Sequence, residues 1–441
     1  MKGKLLNMKL KSAIVLAYEN SQKMKSALHK SLHRVCSLPL PVWAARAAEP
    51  LCEEPPVVII PEDSGFPQEY AKCRTVFLRG GGCYNALSSA RKAVSPGGYV
   101  FILRGDMPLI KTETLEALAV LAKGKAAAVL TRAAAEGSGS ILNLQGASPA
   151  EGGIHCGVYC FDSEALFSHI EKIGGPGGGG LGKIIEALSR EGRSVAALAV
   201  KDVFEVTTVD DRIKLSECER EMRRRINDRH MESGVTFIDP ERAYIDPGVS
   251  IGKDTVIYPD VVLQGETAIG ERVILYPGCR IISSTIKSGC ILQAVVSNEA
   301  EIGENVTAGP FVNLRPGTRI SNGCKIGDFV EIKNSNIGEG SKVPHLSYVG
   351  DGDMGANVNI GCGTVFSNYD GFKKHRTVIG DNAFIGCNTN LVAPVKVGNN
   401  AYTAAGSTIT EDVPDGSMAF ARARQVNKEG YAEKFKQKKQ N

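Results

Sequence analysis

Two basic residues in the C-terminal half of the chain, Arg315 and Lys333, are spaced so that they could share an anionic ligand. They lie in a segment whose aliphatic residues recur at every sixth position, and their spacing equals three such repeats. That interval corresponds to one full turn of a three-sided coil. Cations stacked in this way repel each other unless an anion lies between them. The spacing therefore favours an anion site, and the alternative is that both side chains are simply solvated on the surface.

The segment with the six-residue period contains two histidines, His345 and His375. His345 lies in the segment 343–348, which slightly interrupts the six-residue period. A histidine packed at a turn is the ordinary explanation for one such residue, although imidazole is also the side chain used most often as a general base. A zinc-dependent hydrase on this kind of scaffold needs about three histidine ligands, so two histidines argue against it.

The elements that position these residues follow from the period of the aliphatic residues. The period is carried by Ile251, Ile257, Leu263, Ile269, Leu275 and Ile281, then by Leu314, Ile320, Ile326 and Ile332, and then by Ile379, Ile385, Leu391 and Val397. A period of six fits neither a helix, at about 3.6 residues per turn, nor an ordinary strand, at about two. It predicts a left-handed parallel β-helix of hexapeptide repeats, in which three hexapeptides form one triangular coil. Such β-helices usually work as trimers.

The first half of the chain has a different organisation. Residues 12–205 alternate short apolar runs with amphipathic segments, which predicts an α/β domain with a mostly parallel, Rossmann-like sheet. A glycine-rich stretch at 174–182 is predicted to be a loop. We place the first domain at 1–208, a linker helix at 209–233 and the repeat domain at 234–441. An insertion at 366–378 breaks the register of the repeats.

Composition limits the classes of partner. The chain has 43% hydrophobic and 23% charged residues and a net charge of +4, which is typical of a soluble globular protein and does not require nucleic acid. No apolar run approaches the roughly 20 residues of a membrane span. Twelve scattered cysteines without a secretory leader favour reduced thiols and a cytoplasmic protein.

Several motifs together resemble one family. They are Asn-Leu-Arg-Pro-Gly at 313–317, Val-Glu-Ile-Lys at 330–333, His-Leu-Ser-Tyr-Val-Gly-Asp at 345–351, Asn-Val-Asn-Ile-Gly at 357–361 and Ser-Asn-Tyr-Asp-Gly at 367–371. The sequence resembles the bifunctional N-acetylglucosamine-1-phosphate uridyltransferase and glucosamine-1-phosphate N-acetyltransferase, GlmU. The resemblance covers nearly the whole chain, but it is close only from about Val209 onward.

The resemblance implies roles in the repeat domain. His345 would be the general base, Arg315 and Lys333 would contact the phosphate of glucosamine 1-phosphate, and Tyr348 and Asn359 would complete the sugar pocket. The residues implied for acetyl-CoA are Cys362, Asn368, Tyr369, Arg376, Cys387, Ala405 and Arg422. Cys362 and Cys387 replace the Ala and Ser that are frequent in the family. Both remain small, so we expect cofactor binding to be retained.

In the first domain, the pattern of the family is incomplete. A nucleotidyl-transfer site opens with a glycine-rich loop that cradles phosphates, but the corresponding stretch 16–24 contains no glycine and adds Glu19. The resemblance still assigns Lys30, Gly82 and Cys83 to the nucleotide. It assigns Asp106 and Asp210 to Mg²⁺, although an aspartate at the end of a strand can equally cap a helix.

The sequence therefore predicts an acetyl-CoA-dependent glucosamine-1-phosphate N-acetyltransferase in the pathway to UDP-N-acetylglucosamine, a cell-envelope precursor. It is expected to be a homotrimer, with uridyltransferase activity weak or lost. One alternative is the fully bifunctional enzyme, which also uses UTP and N-acetylglucosamine 1-phosphate. Another is a non-catalytic trimeric scaffold, against which the retained set of His345, Arg315, Lys333 and Asn359 argues.

Overall fold

The computed structural model describes residues 9–67, 69–70, 73–133, 153–170 and 180–437. Most of the glycine-rich stretch 174–182, predicted to be a loop, lies outside these residues. The chain forms two compact units, Met1–Arg223 and Arg224–Asn441, and the division falls within helix α6 (Arg212–Glu232). The predicted limits at 208 and 233 stay predictions. In the described residues, no helix combines the length and apolar character that a membrane crossing requires.

The first unit is built on one mixed sheet. Its strands are β1 (Leu10–Leu16), β2 (Arg34–Val35), β3 (Leu38–Pro39), β4 (Val57–Pro61), β5 (Glu69–Tyr70), β6 (Cys73–Leu78), β7 (Tyr99–Arg104), β8 (Ala127–Ala133), β9 (Gly153–Asp162) and β10 (Val195–Ala199). Its helices are α1 (Leu40–Ala48), α2 (Cys83–Arg91), α3 (Thr112–Ala122), α4 (Ser163–Phe167) and α5 (Gly182–Arg190). In the described residues the sheet order is β10-β8-β9-β7-β1-β4-β6-β5, and β2 and β3 form a separate antiparallel pair.

Helices cover both faces of this sheet, which explains why its central strands are continuously apolar. Ala13, Ile14 and Val15 of β1 have no exposed surface. One core cluster packs α2, α4 and α5 against the sheet, and a second packs α1 and α3 against the other face. β1 runs parallel to both β4 and β7, and Leu16 pairs with Arg104. The loops that follow β1 and β7 therefore leave the sheet at the same edge.

The second unit is a parallel β-helix with three sheets. Through the described residues, the 11-stranded sheet contains Thr236–Phe237, Val256–Ile257, Ile274–Leu275, Ile291–Leu292, Thr307–Ala308, Lys325–Asp328, Lys342–His345, Asn359–Ile360, Phe384–Ile385, Tyr402–Thr403 and Met418–Ala419. The 10-stranded sheet contains Ala243–Ile245, Val261–Gln264, Arg280–Ile282, Val295–Asn298, Val312–Leu314, Glu331–Lys333, Tyr348–Gly350, Val365–Ser367, Asn390–Val392 and Thr408–Ile409. The 9-stranded sheet contains Ser250–Ile251, Ala268–Ile269, Thr285–Ile286, Glu301–Ile302, Arg319–Ile320, Asn336–Ile337, Gly352–Met354, Thr377–Ile379 and Val395–Val397. A short helix, α7 (Tyr431–Gln437), follows.

The coils follow the predicted period. Asn313 pairs with Glu331, which lies three full hexapeptides later, and anchors such as Ile257, Leu263 and Leu275 are completely buried. The next interval, from Glu331 to Tyr348, is shorter by a single position. This difference accounts for the small interruption seen in the sequence at 343–348. One inward aliphatic side chain per short strand thus builds the continuous core of a solenoid.

The predicted insertion forms a hairpin on the surface of this β-helix. Tyr369 and Lys374 make an isolated antiparallel bridge. The Asp370 carboxylate accepts hydrogen bonds from the backbone N–H groups of Phe372 and Lys373, both at 2.8 Å. Asp370 also contacts His375 Nε2 at 2.7 Å. These local bonds hold the turn of the hairpin in a defined conformation and place Lys374 on its returning side.

Candidate functional site

His345 and Tyr348 lie on either side of one corner of the β-helix. His345 ends a strand of the 11-stranded sheet, and Tyr348 begins a strand of the 10-stranded sheet. The His345 side chain is 56% exposed, and its Nδ1 lies 3.8 Å from the Asp328 carboxylate of the preceding coil. That separation is too long for a hydrogen bond. The imidazole of His345 is therefore accessible from solvent at this corner.

Arg315 and Lys333 lie in neighbouring coils of the β-helix, as their spacing predicts. The backbone N–H of Arg315 donates to the carbonyl of Ile332, immediately before Lys333, at 2.9 Å. The Arg315 guanidinium donates to the Glu331 carboxylate at 2.9 Å, and both side chains are partly exposed. The two predicted phosphate-binding cations thus share one surface.

A third cation, Lys374 of the hairpin, joins this surface, and the sequence analysis missed it. The Lys374 ammonium, together with a smaller contribution from burial and from the Arg315 guanidinium, holds the pKa of Lys333 below its ordinary value. Three cations on one surface are a chemically suitable arrangement for a multiply charged anion. The only sequence signal was a lysine within an insertion, because the hairpin that returns it to the sheet is not visible in the repeat period.

A buried carboxylate organises the polar groups beneath this cluster. Asp351 is 4% exposed and accepts hydrogen bonds from the side-chain amides of Asn334 and Asn368. The Asn368 amide also lies 3.4 Å from the Tyr348 hydroxyl. The Tyr348 ring covers Gly350, where an added Cβ would collide with the phenol oxygen. Tyr348 is therefore fixed beside Lys333, whereas the Asn368 side chain is only 8% exposed and bonded inside the protein.

The other residues assigned to acetyl-CoA divide into two groups. The Arg376 guanidinium makes a bidentate pair with Asp353, at 2.7 and 2.6 Å, and also donates to the carbonyls of Asn334 and Gly352. Its donors are thus used within the chain. The Tyr369 hydroxyl donates to the Gly371 carbonyl at 2.6 Å, although the ring is 58% exposed.

The second group lies along the corner that carries His345. The strand pairs Ile360–Ile385 and Ile385–Thr403 fix the register of three successive coils. The residues two positions after Ile360, Ile385 and Thr403 are Cys362, Cys387 and Ala405, which are all assigned to the cofactor. Lys342 pairs with Asn359, so His345 occupies the equivalent position of the coil before.

This column of four residues therefore leads from the imidazole along the β-helix. The backbone confirms the stacking, because Asn388 donates to the Cys362 carbonyl at 2.7 Å and Gly406 to the Cys387 carbonyl at 2.8 Å. Cys387 is exposed and Cys362 is half-buried. Asn359 is half-buried on the adjoining strand, and Arg422 is exposed one coil beyond Ala405.

The first unit contains a separate cavity of about 960 Å³ where the loops after β1 and β7 leave the sheet. Lys30, Asp106, Asp210 and Cys83 line it, as does Arg104, which the sequence analysis missed. Gly82 precedes α2 with a φ of +101°, and Cys83 is the first residue of that helix. Burial raises the pKa of the Cys83 thiol to about 11. Four of the five predicted residues thus line one cavity, and Gly82 is the neighbour in sequence of the lining residue Cys83.

The Asp106 carboxylate is fully engaged by cations. Arg104 donates to Oδ1 at 2.9 Å and to Oδ2 at 2.8 Å, and the Lys30 ammonium lies 2.7 Å from Oδ2. Lys30 also lies 3.3 Å from the Asp210 carboxylate. Burial acts to raise the pKa of Asp106, but Arg104 and then Lys30 outweigh it and hold that pKa below its ordinary value.

These contacts do not fit a magnesium site. Magnesium requires open oxygen ligands in near-octahedral geometry, and both Asp106 oxygens already accept N–H groups. Across the residues that the structure describes, no group of three or more His, Cys, Asp or Glu side chains is arranged to hold a metal. Glu19 adds a further carboxylate 3.7 Å from Arg104, where a phosphate of the nucleotide was expected. Arg104 precedes Asp106 by two positions, and only that proximity could have drawn attention to it.

Comparison with known proteins finds a matching family for each of the two units. Residues 13–193 match the family described as MobA-like NTP transferase domain, and residues 299–334 and 376–411 match the bacterial transferase hexapeptide family. The chain is 42% identical over 448 residues to the bifunctional protein GlmU of Clostridium botulinum, in an alignment that covers 96% of this chain and 98% of the relative. This chain belongs to the GlmU family.

Other members of the GlmU family are similarly close. The bifunctional protein GlmU of Caldanaerobacter subterraneus is 42% identical over 449 residues, covering 96% of this chain and 97% of the relative. The bifunctional protein GlmU of Listeria monocytogenes is 39% identical over 445 residues, covering 95% of this chain and 97% of the relative. A solved nucleotidyl transferase from Methanothermobacter thermautotroptrophicus aligns with 50% of this chain and 99% of its own, at 17% identity and a TM-score of 0.40, which is too distant to carry an argument.

Membership of the GlmU family confirms three predictions. The family is the predicted one. The fold class, an α/β nucleotidyltransferase-like domain followed by a left-handed β-helix of hexapeptide repeats, is confirmed. The chain is an enzyme of the transferase class. The curated relatives are named bifunctional, and both kinds of domain are present here, so the predicted weakening of uridyl transfer is not established by the comparisons.

Proposed function

We propose that this GlmU-family enzyme transfers the acetyl group of acetyl-CoA to the amine of glucosamine 1-phosphate, giving N-acetylglucosamine 1-phosphate. The observation that carries the proposal is the convergence of three cations, Arg315, Lys333 and Lys374, on the face of the β-helix that follows the corner carrying the exposed imidazole of His345. The cations would bind the phosphate, because a dianion relieves their mutual repulsion. Phosphate binding would thereby place the sugar amine near the corner of the β-helix.

The chemistry assigned to His345 is proton transfer. The amine nitrogen attacks the thioester carbonyl carbon, and His345 takes the proton that this nitrogen loses as the new C–N bond forms. The C–S bond then breaks, and the imidazolium returns the proton to the departing thiolate of CoA. Asp328, 3.8 Å from Nδ1, would stabilise the imidazolium between these two steps. Acetyl-CoA would lie along the column of Cys362, Cys387 and Ala405.

A thiol-release assay with acetyl-CoA and glucosamine 1-phosphate tests this assignment. Replacing His345→Ala should reduce kcat by about 10²–10⁴-fold, the usual contribution of a positioned acid–base group. Lys342→Ala is the matched control, since Lys342 is an exposed residue of the same strand, and it should retain activity. An inert wild type, or a His345→Ala variant as fast as the control, would contradict the proposal.

We also propose that uridyl transfer is weak or absent in this protein. The supporting observation is that Asp106, the expected metal ligand, is held by Arg104 and Lys30, while Glu19 places negative charge beside them. Loss of even two charge-assisted contacts, each worth about 1.5–3 kcal/mol, would lower affinity for UTP by roughly 100-fold or more. The measurement is pyrophosphate release from UTP and N-acetylglucosamine 1-phosphate. Turnover at an ordinary enzymatic rate would instead favour the bifunctional alternative.

The proposed active enzyme is a homotrimer. Phe311 and Phe329 stack with ring centroids 5.2 Å apart on successive coils, and both are exposed, at 61% and 58%. Leu346, next to His345, is also 61% exposed. Packing against a second copy of the chain would bury this apolar row at the corner that carries the imidazole.

The remaining proposals concern the cellular location of the protein and its binding partners. All twelve cysteines lie in described residues, where none is joined in a disulfide and many are buried, which supports a reducing, cytoplasmic location. The partners proposed are the two small substrates and further copies of this chain, with no role for nucleic acid or a membrane.

A further inference from the structure

The cavity of the first unit contains an arginine that is built into the sheet edge. Arg104 ends β7, and its aliphatic stem crosses Gly157 of the neighbouring strand β9. A Cβ added at Gly157 would lie 2.6 Å from Arg104 Cδ, so only a glycine leaves room for this side chain. Gly157 has a φ of +79°, which glycine adopts without strain. The stem of Arg104 therefore lies in a fitted channel.

The guanidinium at the end of this channel contacts Asp106, the better buried of the two carboxylates assigned to a divalent cation. It makes a bidentate pair with Asp106, whose side chain is 7% exposed, and lies 3.7 Å from Glu19. The turn through Gly105 packs against the end of β1, where an added Cβ would come within 2.6 Å of Ala17, two positions before Glu19. The fixed fork of an arginine matches a carboxylate in this geometry, and its charge persists across the whole physiological pH range.

We propose that Arg104 permanently replaces the divalent cation in this unit, so that the cavity is a metal-free site closed to Mg²⁺ by its own guanidinium. This inference extends the proposed loss of uridyl transfer by assigning the exclusion of metal to one side chain. Lys30 alone leaves Oδ1 of Asp106 open, because its ammonium reaches only Oδ2. Arg104 is the residue that occupies both oxygens.

The assignment predicts that a single substitution creates a cation site. In Arg104→Gln, Oδ1 of Asp106 loses its charged donor, and Asp210, which shares the Lys30 ammonium, supplies a second carboxylate nearby. Mn²⁺ is the probe, because it substitutes for Mg²⁺ and its free concentration is read directly by electron paramagnetic resonance. The full-length variant should bind one Mn²⁺ per chain at least about tenfold more tightly than the wild type, since a unit positive charge is removed at contact distance.

Two further variants define the result. Arg132→Gln is the matched control, because this arginine lines the same cavity but, among the described contacts, does not bond Asp106. It should bind Mn²⁺ like the wild type. The double variant Arg104→Gln/Asp106→Asn should lose the gained site. Circular dichroism melts of each variant show whether the fold is retained, and the thermal shift on adding Mn²⁺ gives a second readout that does not depend on activity.

Two outcomes would overturn the inference. A wild-type protein that binds one Mn²⁺ per chain, with loss of binding in Asp106→Asn, would show that Arg104 yields to the metal. A folded Arg104→Gln variant that gains no site would show that Arg104 is not what excludes it. The Mn²⁺ titration contains no nucleotide and no acetyl donor, so its failure is distinct from a failure of the proposed function, which the thiol-release and pyrophosphate assays measure.

Discussion

The substitution Lys374→Gln tests two effects of the Lys374 ammonium. One is its repulsion of Lys333 in the free protein, and the other is its contribution to binding of the sugar phosphate. In the free protein the two ammonium groups repel, which is why the pKa of Lys333 is held below its ordinary value. In the complex with glucosamine 1-phosphate, both would face the phosphate. The substitution should therefore leave the stability of the free protein unchanged or slightly raised while it weakens binding of the sugar phosphate. A residue with a purely structural role would lower stability and binding together.

The magnitudes follow from the exposure of the groups. Relief of repulsion between solvent-exposed charges is worth no more than about 1 kcal/mol. A hydrogen bond to a charged group contributes about 1.5–3 kcal/mol. We therefore expect KM for glucosamine 1-phosphate to rise roughly 10–100-fold. KM for acetyl-CoA should stay within about twofold, because Lys374 does not belong to the column of residues assigned to the cofactor.

The same change should alter the pH dependence in a defined direction. A lysine whose folded pKa lies below its unfolded value destabilises the folded protein at neutral pH, and this cost disappears as pH rises above the unfolded value. Lys374→Gln removes the largest cause of that lowering, so any gain in stability should be present at neutral pH and fade in alkali. Likewise, the alkaline loss of phosphate affinity in the wild type should begin at a lower pH than ordinary lysine titration predicts.

The assay is steady-state thiol release, with thermal melts at pH 7 and at pH 10. Lys373→Gln is the matched control, because it removes the same charge from the neighbouring position of the hairpin. The hydrogen bond from Lys373 to Asp370 is made by the backbone N–H and survives the substitution. An unchanged KM in Lys374→Gln, or an equal rise in Lys373→Gln, would refute the reasoning.

Three further predictions address other parts of the β-helix. Cys362→Ala and Cys387→Ser should each keep kcat/KM within about threefold in the thiol-release assay, since small side chains are exchanged; a loss of 100-fold would indicate a direct role for a thiol. Phe329→Glu should convert the trimer to monomers in light scattering, whereas Phe372→Glu, at a residue 95% exposed on the hairpin, should not; a trimer in both would contradict the proposed interface. Arg376→Gln should lower stability by about 1 kcal/mol at pH 7, because both groups of its pair with Asp353 are partly exposed. Arg376 holds the pKa of Asp353 below its ordinary value, so the share of this difference that comes from the ion pair should be present at neutral pH and be lost as pH falls through that lowered pKa. Melts that show an undiminished difference at pH 3 would argue against it.

The sequence alone determined the architecture of the repeat domain. It also determined which residues are neighbours because they lie a whole coil apart. The period of six specifies one buried aliphatic residue per short strand. That requirement concerns only a few neighbouring residues, recurs along the domain and is still met where a coil is one residue shorter. Arg315 and Lys333 could be placed together for the same reason, because their interval equals a coil. The sequence also predicted the α/β class of the first unit from the alternation of apolar runs and amphipathic segments.

Only the tertiary structure decided which charged groups meet across other intervals. Lys374 reaches Lys333 because a hairpin outside the period returns over the sheet, and Asn368 turns inward because a buried carboxylate, Asp351, binds its amide. Arg104 neutralises Asp106 because Gly157 on an antiparallel strand leaves a channel for its stem. Contacts of this kind depend on how segments that are distant in sequence are placed in space. The residue pattern along the chain does not specify those distances.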